Sequence, residues 1–140
     1  MRFWDTSAIV ALLIVEDETE RVLPLSLDPT PMAVWWGTIV ESESALNRRE
    51  REGRPDPDAI RYAREELSRL ETIWTEIEPG DDLRQEARRM LRIHPLRAAD
   101  AFQLASALTA ADGSPAQLPF VCLDDRLREA ARREGFPVLP

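Results

Sequence analysis

The sequence predicts an α/β fold of three layers, with a central and mainly parallel sheet between two layers of helices. Two observations carry that prediction. Short apolar runs alternate with amphipathic stretches along the whole chain. Strands separated by helices need crossover connections, and these align the strands in parallel and leave helices on both faces. No repeat, low-complexity tract or linker interrupts the pattern. The 140 residues suffice for one domain, 1–140, which can bury roughly 70% of its unfolded surface without a covalent staple.

The elements follow in order. Residues 2–4 form a short strand ending at Asp5, and 7–15 an apolar helix. Residues 19–27 form a second short helix that Pro24 interrupts, because proline lacks the N–H a helix interior needs. Pro29 and Pro31 break the chain before a strand at 32–35. Thr38 opens a helix to about residue 52, stopped by Gly53 and Pro55. A helix at 58–70 and a strand at 73–77 lead to the turn at Pro79 and Gly80. Helices at 82–92 and 98–111 are separated by His94 and Pro95, and Asp112-Gly113 ends the second. Residues 119–123 are a strand and 124–134 a helix. Residues 136–139 close the chain as an edge strand, the position that Pro137 tolerates.

Composition removes whole classes of chemistry. One cysteine, Cys122, excludes a disulfide framework, and one histidine, His94, leaves the usual zinc ligand sets incomplete. All 18 basic residues are arginine, which excludes lysine Schiff bases and the phosphate-binding lysine of a P-loop. The five glycines are scattered singly, so there is no Gly-rich phosphate cradle. His94 precedes a proline in a loop and no serine has an elbow-like setting, which disfavours a Ser-His-Asp triad. Cys122 lies in an apolar run and reads as a small core residue, and Trp4, Trp35 and Trp36 as core or interface. No basic leader with an apolar stretch precedes the first strand, and no apolar run approaches the roughly 20 residues of a membrane span. A cytoplasmic protein without a membrane partner is expected.

The net charge is −8, from 26 acids. Solubility accounts for much of it, yet several acids occupy particular places. In an open parallel sheet, ligands bind outside the carboxyl ends of the strands. Asp5 and Asp124 each end an apolar strand and lead into a helix. Helix capping explains either one alone; together they deliver two acids to one edge. Asp100 shares the helix face of Leu104, Ala107, Leu108 and Ala111, and an acid on a buried stripe needs a cation or a metal. Thr38 and Glu41 fit a T-x-x-E capping box, whereas Glu43 lies nearer the apolar face, between Ile39 and Leu46. Pattern alone does not choose between these two glutamates.

Arginine clusters twice. Residues 84–97 carry Arg84, Arg88, Arg89, Arg92 and Arg97 against Glu86, and residues 46–54 carry four arginines against two glutamates. A solvated face with pairs such as Glu86 and Arg89 is one reading. A rim in which Arg88, Arg89, Arg92 and Arg97 grip phosphates around an acidic centre is the other.

Four segments, taken together, resemble the PIN-domain ribonucleases. They are Asp5-Thr6-Ser7-Ala8, residues 35–46, residues 96–105 (LRAADAFQLA) and residues 120–127 (FVCLDDRL). Within those ribonucleases the chain is similar to the VapC-type toxins of bacterial toxin–antitoxin pairs, over essentially its whole length and in the same order. The resemblance implies a PIN-like fold and a catalytic quartet of Asp5, Glu41, Asp100 and Asp124. Glu41 matches because Ser44, Ala45 and Leu46 follow it at the family's spacing, and Ser7 would orient Asp5. Asp5, Asp100 and Asp124 are then the metal ligands, and Glu41 holds the attacking water or acts as general base. Oxygen ligands without histidine or cysteine favour Mg²⁺ or Mn²⁺. The resemblance further implies RNA products with a 5′-phosphate and a 3′-hydroxyl, a VapB-type antitoxin that blocks the cleft, and a homodimer. Two other readings stand beside it: a PIN nuclease of RNA processing or repair without an antitoxin, and an inactive protein-binding scaffold.

Overall fold

Phe3 and Trp4 follow one another in β1 (Arg2–Trp4) and both are buried, the mark of a strand covered on both faces. In the computed structural model, which describes residues 1–53 and 56–140, β1 is the middle of five strands. The others are β2 (Met32–Trp35), β3 (Thr75–Ile77), β4 (Phe120–Val121) and β5 (Val138–Leu139), in the order β3-β2-β1-β4-β5. All four pairings are parallel, with Phe3 opposite both Ala33 and Phe120, and Trp4 opposite Val121. Seven α-helices among the described residues connect and cover them: α1 (Thr6–Leu13), α2 (Thr19–Ser26), α3 (Thr38–Arg51), α4 (Pro57–Glu71), α5 (Asp81–Ile93), α6 (Ala98–Ala111) and α7 (Asp125–Arg133).

Side chains alternate across the sheet with the period of two that a strand imposes. Phe3, Ala33, Trp35 and Phe120 face a core built with Leu83, Met90, Leu104 and Leu127 of α5, α6 and α7. Trp4, Val34 and Val121 face the other way, onto Ile9 of α1, Leu46 of α3 and Leu67 and Leu70 of α4. The Phe3 and Phe120 rings stack with centroids 5.4 Å apart, so truncating either to alanine costs about 3–5 kcal/mol. The architecture is the expected α/β/α sandwich, and every strand of the sheet is parallel.

Several boundaries differ from expectation, each for a local reason. Pro24 does not interrupt α2: it sits exposed inside the helix, and the Leu27 N–H still reaches the Leu23 carbonyl at 3.2 Å. Residues 73 and 74 form the turn after α4 instead of starting β3, since both N–H groups bond the Leu70 carbonyl at 3.0 and 3.1 Å. The ladder at 119–123 is only Phe120–Val121. The capping box at Thr38 is not formed: Gly37 takes the N-cap and Thr38 is the first helical residue, fully buried. Pro55, expected to stop the third helix, lies outside the described residues. Among the described residues no helix is long and apolar enough to cross a membrane.

Candidate active site

Parallel strands bring their carboxyl ends to one edge, and Asp5 and Asp124 follow from that geometry, each lying between a strand and the helix after it. The Asp5 N–H bonds the Val121 carbonyl at 3.0 Å, extending the β1–β4 ladder by one residue. The chain then turns into α1, and the Asp5 carboxylate caps it by accepting the Ser7 N–H at 2.9 Å. Ser7 Oγ donates to the same oxygen, Oδ2, at 2.5 Å. Its own Oγ accepts the Leu123 N–H at 2.9 Å, so Ser7 ties the ends of β1 and β4 together. The Cys122 thiol also points at Oδ2, at 3.5 Å. Every one of these contacts falls on Oδ2 and none is a cation. Asp5 is only 5% exposed, and this burial pushes its carboxyl up to about 6, against the lowering effect of its Ser7 and Cys122 hydrogen bonds; the nearby Glu41 charge adds a smaller push. Burial, followed by the Asp5 charge, raises the Cys122 thiol far above its ordinary range, so it stays a neutral donor.

Glu41 lies in the first turn of α3, and its Oε2 accepts from Thr6 Oγ1 at 2.5 Å and from Gln103 Nε2 at 2.8 Å. Gln103 is 1% exposed; its amide also reaches Thr6 at 2.7 Å and Thr38 at 3.3 Å. Two elements, α1 and α6, therefore converge on one oxygen of Glu41. Glu43 points elsewhere, to Arg64 of α4 at 3.2 Å. The structure thus separates the two glutamates that pattern left equivalent, placing Glu41 beside Asp5.

Asp100 stands one turn before Gln103 on α6 and accepts the Arg97 backbone N–H at 3.1 Å. Asp124 caps α7 by accepting the Leu127 N–H at 2.9 Å. Both are half-buried and sit at the helix starts that face this edge. The four arginines divide. Arg89 is occupied by Glu86 and Glu134; among the described residues Arg88 meets only the neutral Gln85 Oε1, at 3.0 Å. Among the described residues Arg92 and Arg97 have no acidic side-chain partner. His94 is a structural residue, buried with its Nε2 2.7 Å from Glu134.

Sequence reasoning missed Thr6, Thr38, Gln103 and Cys122 as parts of this centre. Gln103 carried a signal: a polar side chain inside an alanine- and leucine-rich stripe needs partners, as was argued for Asp100. A carboxylate buried without a cation, in a set of oxygen donors, fits a hard divalent ion by the chemistry of its donors. Among the described residues no three His, Cys, Asp or Glu side chains stand close enough to share one.

The parallel sheet carries Asp5 and Asp124 at the carboxyl ends of two adjacent strands, and comparison with known proteins gives the family. The PIN domain family model matches residues 2–133, and the chain belongs to that family, whose members are nucleases. No curated protein matches the sequence. Among solved structures, VapC20 of Mycobacterium tuberculosis is 22% identical, with a TM-score of 0.70 over 100% of both chains. FitAcB of Neisseria gonorrhoeae is 16% identical, with a TM-score of 0.66 over 100% of this chain and 97% of that one. PAE2754 of Pyrobaculum aerophilum is 24% identical, with a TM-score of 0.59 over 92% of this chain and 78% of the other. At these identities the likeness is one of fold.

Proposed function

We propose that the protein is a Mg²⁺- or Mn²⁺-dependent endoribonuclease, the toxin of a VapBC-type toxin–antitoxin pair, made of one PIN domain over residues 1–140. The observation that carries this reading is Asp5, buried at the carboxyl end of the central strand with no cation beside it, while Thr6 and Gln103 hold Glu41 nearby. Support comes also from VapC20, described as a sarcin–ricin loop cleaving toxin, which shares the fold over its full length.

Asp5, Asp100 and Asp124 are the residues that would hold the ion. A divalent ion bound there supplies Lewis acidity to a water and positive charge to the phosphate. The remaining work belongs to the side chains. Ser7 fixes the rotamer of Asp5 through Oδ2, keeping Oδ1 for the ligand. Thr6 and Gln103 occupy Oε2 of Glu41, so its Oε1 is the atom that takes the proton of the attacking water. That water attacks phosphorus, the bond to the 3′-oxygen breaks, the leaving oxygen takes a proton from solvent, and the products carry a 5′-phosphate and a 3′-hydroxyl. Arg88, Arg92 and Arg97 draw the substrate's phosphates toward an otherwise acidic molecule. Arg89, committed to Glu134, contributes structure. A VapB-type antitoxin, a homodimer and a cytoplasmic location complete the reading.

End-group analysis tests the chemistry. RNA fragments that carry a 5′-phosphate support it, and fragments ending in a 2′,3′-cyclic phosphate overturn it. An adjoining gene for a small DNA-binding protein, whose product co-purifies with this chain and silences cleavage, would identify the antitoxin. One observation favours the scaffold reading: the open arrangement of the acids. Absence of any bound ion in calorimetry would decide for it.

A further inference from the structure

The carboxyl edge that carries Asp5 and Asp124 also carries an anchored cation. Arg128 lies one turn into α7, where its N–H bonds the Asp124 carbonyl at 2.8 Å. Its side chain is half-buried and turns back toward the strand ends. Nη1 donates to the Cys122 carbonyl at 2.8 Å and to the Leu139 carbonyl at 3.4 Å. Cys122 directly follows β4, Leu139 closes β5, and the two strands pair. One nitrogen therefore bridges the carboxyl ends of neighbouring strands.

That anchor leaves the charge unneutralised. Among the described residues Arg128 has no carboxylate partner. The acids beside it on α7 are engaged otherwise: Asp124 accepts the Leu127 N–H, and Glu129 pairs with Arg133. A guanidinium has five N–H groups, of which Nη1 supplies two. The three on Nε and Nη2 meet no acceptor among the described residues. Nε–H and one Nη2–H lie side by side, the fork that takes two oxygens of one oxyanion. The carbonyls already fix the side chain, so little ordering remains to be lost when an anion binds.

Two contacts tie the fork to the acids. Cys122, whose carbonyl holds Arg128, points its thiol at Asp5 Oδ2 from 3.5 Å. Asp124 caps the helix on whose first turns Arg128 sits. Ligands of an open parallel sheet bind outside this edge, and a nucleic-acid strand repeats its oxyanion along its length. A strand with one phosphate at the acids carries further phosphates along the edge toward β5. We propose that the Nε–Nη2 edge of Arg128 binds a backbone phosphate of the RNA that neighbours the phosphate at the acids. The proposal rests on the ribonuclease reading for its substrate, and binding and cleavage are read separately so that the two can fail separately.

Arg128→Met keeps the apolar stem and removes every donor. Arg128→Lys keeps a charge and a donor for the Cys122 carbonyl but has no fork. Single-stranded RNA 10-mers, each with one uncharged methylphosphonate linkage, are titrated into the wild type and both variants in EDTA at low salt. In the wild type one linkage should weaken binding by about ten-fold, the worth of a charge-assisted hydrogen-bonded pair. In Arg128→Met unmodified RNA should bind about ten-fold more weakly, that linkage should no longer matter, and the salt slope should fall by about 0.7. Arg128→Lys should lie between the two. In cleavage both variants should raise KM with kcat little changed. Equal RNA affinity of wild type and Arg128→Met overturns the proposal, and a lowered melt with that affinity makes Arg128 a clasp of the strand ends only. If Arg128→Met fails to fold, Arg128→Lys decides, and wild-type affinity there overturns the proposal. Poly-glutamate binding that Arg128→Met abolishes, with RNA affinity unchanged, overturns it in favour of a partner's carboxylates. Metal-dependent cleavage with no sensitive linkage leaves the nuclease standing and removes the phosphate site. A sensitive linkage that needs Arg128, without cleavage under any metal, keeps the site and removes the nuclease.

Discussion

Replacing Asp5 by asparagine is expected to stabilise the metal-free protein at neutral pH while abolishing its activity. Burial lifts the Asp5 carboxyl from an ordinary 3.8 to about 6. Between those values the folded chain holds this proton more tightly than the unfolded chain does, so stability falls as pH rises through the window. The contribution is fully present below pH 3.8 and lost above about 6. At about 1.4 kcal/mol for each factor of ten in the acid constant, ionised Asp5 costs the fold about 3 kcal/mol at pH 7. Asparagine carries no such cost, and its carbonyl can still accept from Ser7 and cap α1. Thermal melts in EDTA from pH 4 to 8 read the difference. Wild type and Asp5→Asn should melt together near pH 4 and separate by about 9 °C above pH 7, at roughly 3 °C per kcal/mol for a chain of this size. Excess Mg²⁺ should close the gap by stabilising only the wild type. An Asp5→Asn protein less stable than wild type at pH 7.5, or a gap that ignores pH, would refute the account of Asp5 as an uncompensated buried anion.

Other consequences follow from the same geometry. Gln103→Leu removes the amide that positions Glu41 and should lower kcat by about ten-fold or more with KM little changed; equal loss in both would make Gln103 a packing residue only. Replacing Arg88 and Arg92 together should flatten the salt dependence of RNA binding by a slope of about 1.4, at about 0.7 per phosphate contact. Arg89→Ala should leave that slope alone and cost about 0.5 kcal/mol of stability, because its partner is Glu134. Gly37→Ala drives a methyl group into the Trp35 indole and should destabilise the fold by about 1–3 kcal/mol; an unchanged urea midpoint would contradict the close approach described.

The layering and most elements could be read from the sequence because burial on both faces leaves continuous apolar runs, and periodicity separates them from helices. The strand Met32–Trp35 and the helix Ala98–Ala111 have the expected boundaries, since Pro31 precedes the one and Asp112-Gly113 ends the other. Residues 73–77 are harder: Ile73 and Trp74 look like strand but form the turn that follows α4, bonded back to Leu70, and only the backbone shows where those N–H groups go. The acids at Asp5 and Asp124 followed from strand topology. The position of Glu41 did not, because what turns it toward Asp5 is a long-range contact. Thr6 lies 35 residues before it and Gln103 62 residues after it, and a helical wheel holds neither. The same holds for Thr38, which looks like a cap and is drawn inward toward Gln103.

The most direct test of the nuclease assignment is RNA cleavage by the purified protein with Mg²⁺ or Mn²⁺, with EDTA, and with Asp100→Asn in parallel. Cutting should need the ion and disappear in the variant. Cutting that persists in EDTA or in Asp100→Asn, or no cutting of any RNA together with no ion bound in calorimetry, would contradict it.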